Sequence, residues 1–383
     1  LNSKTLQRKE MFTGFRVLEL ASVLAGPSVG QFFAELGAEV IKVENPHTGG
    51  DVTRSWKSAG ETTDDRSAYF CSCNWGKKSV ALDLTKEADL AIVKKLSMTS
   101  DLVIASYKPG DAEKLGVSYE QLKTANPKLI YAQISGYGQS DERVGYDAVI
   151  QAESGFMELN GEKEGAPTKM PVALIDVLAA HQLKEGILLA LLKRERTGEG
   201  DLVEVSLLQA AIASLVNQAT NWLVGKKLPT RQGSLHPNIA PYGESFLTRD
   251  GKRVLLAVGS DKQFEMLCSI LEIKFENTSS FGSNEARVSN RIELARILSE
   301  KISQWKAQDF LSRCYEKKIP AGLIQNMKEV FESPQAKEMM MTSLDRVGAR
   351  SFVSHPSSFE KNQLAPPPHL GEHTIEIITL LNS

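Results

Sequence analysis

The stretch RVLELASVLAGPSVGQFFAELGAEVIKVE, residues 16–44, decides the fold. It opens on Arg16-Val17-Leu18-Glu19-Leu20, an aliphatic run that reads as a strand. Pro27 stands where a proline opens the first turn of a helix over residues 27–36. Residues 38–44 supply a second strand, which closes one βαβ unit. The pattern recurs twice downstream. Residues 86–97 read as a helix feeding a strand at 101–105, and 119–124 as a helix feeding a strand at 128–134. Strands alternating with helices imply a parallel, doubly wound sheet. We therefore expect an α/β, Rossmann-like large domain over residues 11–224.

The next elements extend that sheet and then leave it. A long amphipathic stretch, Val177 to Arg196, ends at the stop signal Thr197-Gly198-Glu199-Gly200, and a strand at 202–206 precedes a helix from Leu207 towards Trp222. Residues 225–229 read as a linker. Beyond it, strands at 245–247 and 254–258 flank the hairpin turn Asp250-Gly251. Helices follow at 262–271, 290–305 and 308–317. This predicts a smaller α+β domain over residues 225–325. The remainder, 326–383, contains Pro366-Pro367-Pro368 and reads as a strap returning to the large domain.

Bulk composition excludes several classes. Of the 383 residues, 42% are hydrophobic and 24% charged, enough for a sizeable core. The formal net charge of −2 gives no global basic field for nucleic acid or an anionic membrane. A polyanionic ligand must be held by a local cluster. Cys71, Cys73, Cys268 and Cys314 form no CxxC pair and no metal spacing, so we expect reduced thiols, a cytoplasmic setting and no metal site. The longest strongly apolar run, residues 187–192, is far short of a membrane span. Residues 1–10 lack the apolar core of a signal peptide.

Asp176 is the most informative single residue. It lies between the apolar run Val172-Ala173-Leu174-Ile175 and the long helix. A carboxylate there is either an ordinary N-cap or a nucleophile at the mouth of the sheet, and in both cases the helix end favours its ionised form. Cations collect at loops that follow strands. Asn74-Trp75-Gly76-Lys77-Lys78-Ser79 precedes a strand expected at 80–84, and its two lysines are either a phosphate clamp or a solvated turn. Tyr107-Lys108-Pro109-Gly110, with Lys114 beyond it, follows a strand at the edge where open α/β sheets bind ligands. Arg143-Val144-Gly145-Tyr146-Asp147 forms another such loop. The first βα turn, Leu24-Ala25-Gly26-Pro27, lacks the GxGxxG fingerprint, which argues against a dinucleotide, although a helix start there can receive phosphate. His181 reads as a packed or hydrogen-bonded core residue, and His236 either as a general base or, more simply, as a loop histidine supporting a hinge. No GxSxG elbow is present.

Read in order, these segments resemble the family III CoA-transferases, the group that includes formyl-CoA:oxalate and carnitine CoA-transferases. The resemblance runs through Val17-Leu18-Glu19-Leu20 to Ala25-Gly26-Pro27, Leu36-Gly37-Ala38-Glu39-Val40-Ile41-Lys42-Val43-Glu44, Ser135-Gly136-Tyr137-Gly138-Gln139 and Gly145-Tyr146-Asp147. It continues through Arg196-Thr197-Gly198-Glu199-Gly200, Gly233-Ser234-Leu235-His236-Pro237 and the tail Pro366 to Thr374, and so covers nearly the whole chain. Residues 326–331 and the tail look most similar to the succinate–hydroxymethylglutarate subgroup.

The resemblance implies that Asp176 attacks an acyl-CoA thioester, giving an aspartyl mixed anhydride and then an aspartyl-CoA thioester. A carboxylic acid, a dicarboxylate in the nearest subgroup, would then accept CoA. It further implies CoA contacts at Val23, Leu24, Asn74, Lys77, Leu82, Ser106, Tyr107, Lys114, Arg143 and Tyr146. Amides near Asp176 or in the Gly259-Ser260 loop would stabilise the oxyanion. CoA enters as substrate, no prosthetic group is expected, and the family's interlocked homodimer would be the assembly. Two other readings remain. One is an α-methylacyl-CoA racemase, whose proton-transferring histidine is replaced here by Tyr146, a poor base at neutral pH. The other is a CoA-binding protein without catalysis.

Overall fold

The computed structural model describes residues 11–274, 280–353 and 363–383. The expectation for residues 1–10 lies outside them. Contacts divide the chain into two units. The first comprises residues up to 157 together with 169–227 and 338–383, and the second 158–168 with 228–337.

The first unit is built on a six-stranded sheet. Its strands are β1 (Arg16–Leu20), β2 (Glu39–Glu44), β3 (Lys77–Ala81), β4 (Leu102–Ala105), β5 (Ile130–Ser135) and β6 (Asp201–Ser206). All neighbours pair in parallel in the order β3-β2-β1-β4-β5-β6, so the expected α/β architecture is present. Side chains alternate across the sheet because the strand period is two. Val17, Val40, Leu102, Ile104, Ile130 and Ala132 pack on one face under the helices Ala25–Glu35 and Leu174–Thr197. Leu18, Ile41, Val80, Val103 and Tyr131 pack on the other, against Val93, Leu96, Leu122 and Ile377 of the helices Glu87–Met98, Tyr119–Lys123 and Thr374–Asn382. Both faces are covered, as a parallel sheet requires.

The second unit carries a three-stranded antiparallel sheet, β7 (Tyr242–Leu247), β8 (Arg253–Ala257) and β9 (Ala321–Leu323). Helices Asp261–Ile270, Arg291–Ile302 and Ala307–Glu316 supply Leu267, Leu298, Ile302 and Phe310 to its core. Strand β9 lies in a stretch where no element was read from the sequence.

Three expectations require correction. β3 begins at Lys77, three residues before the strand expected at 80–84, so both lysines sit within a strand and not in a loop. The long helix begins at Leu174, and Ala173 is its N-cap, so Asp176 lies inside the first turn. His181 is exposed on that helix and is not packed in a core. The four cysteines are unpaired. No described helix is long and apolar enough to cross a membrane.

Candidate active site

Strand order reverses between β1 and β4, and the loops leaving these two strands diverge there. Ligands of open α/β sheets bind at such a point. A pocket of about 200 Å³ opens at this place. Its walls include Ser22 and Val23 after β1, Ser106 to Pro109 after β4, Gly136 after β5, the loop residues Arg143 to Tyr146, and Asp176. The loops are joined by the Ser22 N–H, which donates to the Ser106 hydroxyl at 3.1 Å. Two glycines allow the back wall to close. A Cβ on Gly136 would lie 2.7 Å from the Cα of Gly145, and one on Gly145 2.6 Å from the Cα of Gly136. Only residues without side chains permit that backbone approach.

Asp176 is 7% exposed. Its carboxylate accepts no hydrogen bond from any described residue, and the first-turn capping role belongs to another side chain. Asp147, first residue of the helix Asp147–Glu153, accepts the Ile175 N–H at 2.7 Å through Oδ1. Its Oδ2 accepts from the Gln151 amide at 2.7 Å. Burial, and then repulsion from Asp147, push the Asp176 carboxyl up to about 7. This overturns the expectation that the helix end keeps it fully ionised: loss of water and a neighbouring anion outweigh the helix dipole. Tyr69 was not read as a site residue from the sequence. Burial and the charge of Asp176 hold its phenol up at about 12, so it stays a neutral donor.

Beneath the pocket lies a buried ionic network. Glu19 of β1 is the direct register partner of Lys42 on β2, and its carboxylate meets Lys42 at 3.0 Å and Lys77 at 2.8 Å. Lys42 also reaches Asp51 at 2.9 Å, and Arg54 reaches Glu44 at 2.7 Å. Burial opposes the charge on both lysines. Around Lys42 the anions Glu19, Asp51 and Glu44 outweigh it and raise the ammonium above its usual range. At Lys77 burial wins and lowers it. The network reaches the pocket through Asp51, whose oxygens both accept the Val23 N–H at 3.2 Å. Val23 has φ of 73°. A β-branched residue in that region carries strain of about 1–3 kcal/mol, so the buried charges hold a strained residue at the pocket wall.

The residues proposed from the resemblance separate into two groups. Val23, Ser106, Tyr107, Arg143, Tyr146 and Asp176 share the pocket. Leu24, Asn74, Lys77, Leu82 and Lys114 do not line it. Asn74 and Lys77 are buried and bonded to each other at 2.9 Å, with Lys77 committed to Glu19. Lys77 therefore offers no charge to a phosphate. Leu82 belongs to the core on the other sheet face, and the Lys114 side chain is exposed and paired with Asp111. Arg143 stands at the pocket but engages Asp141 and Glu153 and stacks on Tyr137. Lys108 lines the pocket and forms no ion pair with a described residue. In the second unit, the Gly259 N–H donates to Gln263 and the Ser260 hydroxyl caps the next helix. The Gly259 amide, expected to face an oxyanion, is thus already engaged.

A six-stranded parallel sheet with a pocket at its switch point and a buried carboxylate inside defines a Rossmann-like α/β enzyme whose nucleophile candidate is an aspartate. The family model "CoA-transferase family III" matches residues 12–374, and the chain belongs to that family. Two curated relatives support this. The succinate–glutarate CoA-transferase of Agrobacterium fabrum is 38% identical, the alignment covering 98% of this chain and 97% of its own. The human succinyl-CoA:glutarate CoA-transferase is 35% identical over 95% of this chain and 84% of its own. Among solved structures, a CAIB/BAIF family protein from Brucella suis superposes with a TM-score of 0.87 at 38% identity, covering 97% of this chain and 99% of that one. The chain is an enzyme of the CoA-transferase class.

Proposed function

We propose that this enzyme moves CoA from a dicarboxylyl-CoA donor to a dicarboxylic acid, with succinyl-CoA and glutarate as its pair, and that Asp176 carries the acyl group between them. The observation that supports this reading is Asp176 itself, a carboxylate at the switch-point pocket whose oxygens no described residue engages. A carboxylate attacks a thioester carbonyl without first losing a proton. The Oδ–acyl bond forms as the C–S bond breaks, and the electron pair leaves on the CoA sulfur. The thiolate then attacks the aspartyl carbonyl of the mixed anhydride, releasing succinate and leaving an aspartyl-CoA thioester. Glutarate enters by the reverse steps. Each intermediate is activated, so the energy of the thioester is retained. Lys108, which forms no ion pair with a described residue, supplies positive charge at the pocket for the anionic tail of the substrate, and Arg143 adds to it on release from Asp141 and Glu153.

The substrate pair rests on the printed names of the Agrobacterium and human relatives. CoA is a substrate in this scheme, and the reaction uses no prosthetic group. We further propose a homodimer in a reducing, cytoplasmic compartment. Leu188, Leu189 and Leu192, exposed along the long helix, support the first part, and light scattering checks it.

Intact-mass spectrometry after mixing with succinyl-CoA tests the mechanism. A covalent acyl or CoA adduct is expected on the wild type and absent from Asp176→Ala. Equal adduct on both proteins, or none on either while transfer to glutarate proceeds, would sink the assignment. Solvent deuterium entering the acyl α-carbon without CoA exchange would instead point to a racemase.

A further inference from the structure

Asp147 and Asp176 belong to different helices, 29 positions apart in number, yet they meet at one helix start. Each oxygen of the Asp147 carboxylate accepts one hydrogen bond, Oδ1 from the Ile175 N–H and Oδ2 from the Gln151 amide. Both bonds hold the carboxylate in one place beside the start of the long helix. Ile175 directly precedes Asp176, so the same bond that satisfies an orphan amide of the long helix also clamps the turn carrying the nucleophile candidate. Asp176 has no comparable donors among the described residues, and Asp147 is the neighbouring carboxylate that opposes its ionisation.

We propose that Asp147 is a positioning residue for Asp176, anchoring its helical turn and, as the carboxylate beside it, driving it towards the uncharged acylated state. The inference rests on the reading of Asp176 as nucleophile. Its physical content is a balance of charge. Free Asp176 is negative and repelled by Asp147. When Asp176 attacks a thioester, the negative charge leaves with the CoA sulfur, and the ester-like aspartyl group left behind is neutral. Acylation therefore relieves the repulsion, as protonation would. The raised titration of Asp176 is the equilibrium counterpart of that preference. The same neighbour makes the carboxylate more basic, and hence a stronger nucleophile, while leaving a substantial ionised fraction near neutral pH.

Other groups around Asp176 do not take this role. Tyr69 stays a neutral phenol. Tyr107 and Tyr146 line the same pocket, as do the cations Lys108 and Arg143, which would lower and not raise an acid. Buried Cys73 is held up at about 11 by burial and stays an uncharged thiol. On the long helix itself, His181, Lys184 and Glu185 lie a turn or more further along.

The test separates charge from anchorage. Asp147→Asn keeps an oxygen for the Ile175 N–H and removes the charge, whereas Asp147→Ala removes both. Two readouts are made on full-length protein: an NMR titration of the ¹³C-labelled Asp176 carboxyl, and the ratio of adduct to free enzyme with succinyl-CoA by intact mass. In Asp147→Asn the midpoint is expected to fall by about one pH unit or more. The adduct ratio falls about tenfold for each unit, because protonation and acylation remove the same charge. Asp147→Ala is expected to lose kcat beyond this. An unchanged midpoint in Asp147→Asn overturns the electrostatic role whether or not any adduct forms. A shifted midpoint with wild-type adduct ratio overturns the link to acylation. If the wild type forms no adduct but the midpoint still shifts, the nucleophile reading of Asp176 has failed, and the link to acylation with it.

Discussion

Replacing Asp176 by Asn should make the protein more stable, and increasingly so as the pH rises towards 8. The carboxyl is pushed from an ordinary 3.8 up to about 7 by burial and by Asp147. At about 1.4 kcal/mol per pH unit, this corresponds to a penalty on the order of 4 kcal/mol for keeping the group charged in the folded state. The sign follows from proton linkage. Between 3.8 and about 7 the folded protein holds a proton that the unfolded chain has released, so stability is complete at low pH and lost as pH rises through 7. Asn cannot ionise and escapes the loss. The difference between Asp176→Asn and wild type should be about 1 kcal/mol at pH 4.5 and widen by roughly 3 kcal/mol by pH 8. Denaturant unfolding at a series of pH values, read by fluorescence, measures it. A gain that is the same at both ends of the range would mean that Asn merely packs better. No gain at pH 8 would mean that the carboxylate is solvated in the free enzyme and that its environment is not the source of its reactivity.

Two further outcomes follow from the other charges. Lys77→Met strands Glu19 beside a single remaining lysine and should cost about 3–5 kcal/mol of stability, with little change in KM for acyl-CoA in the protein that stays folded; a large KM effect at unchanged unfolding midpoint would restore Lys77 as a phosphate ligand. Lys108→Glu should leave stability within about 0.5 kcal/mol of wild type, as surface changes do, while raising KM for succinyl-CoA about tenfold or more and flattening its rise with salt; unchanged kinetics would remove Lys108 from the site.

The parts of this protein that could be read in advance are those whose cause is local. The β1 and β2 runs are nearly continuous aliphatic stretches, as strands buried on both faces are, Pro27 falls in the first turn of its helix, and Gly198 stops the long one in the left-handed conformation. Each element follows from its own few residues, and their alternation yields the parallel sheet. The errors have the opposite character. Lys77 and Lys78 looked like a loop because two consecutive lysines rarely enter a strand; here Lys77 is neutralised by Glu19, 58 positions away, and Lys78 points outward to Glu39 and Glu376. Asp176 looked like a cap because Asp is a common one, but the cap for that turn comes from Asp147, 28 positions before Ile175. Tyr69 sits in no motif, and only its proximity to Asp176 gives it a part. Pairings of this range depend on the finished fold, and no window of sequence contains both partners.

The same distinction explains how the pocket can be polar without being soft. Three cations and three anions, Lys42, Lys77 and Arg54 with Glu19, Glu44 and Asp51, are buried in contact with one another on the sheet face below it. Such a cluster contributes little net stability over an apolar core of equal volume, since desolvation offsets attraction. What it does supply is direction. Asp51 is fixed by Lys42 and by the Thr53 N–H and hydroxyl, and it in turn fixes Val23 at positive φ, where the chain turns out of β1 and into the helix carrying Gly26. Gly26 must then lie so close to β1 that a Cβ would meet the Ala21 side chain at 2.4 Å. The pocket wall at Val23 and Gly26 is therefore positioned by buried charge, while Asp176 has no counter-ion among the described residues. The fold gives a partner to every carboxylate of this cluster and none, among the described residues, to Asp176, and that contrast is what singles Asp176 out as the proposed nucleophile.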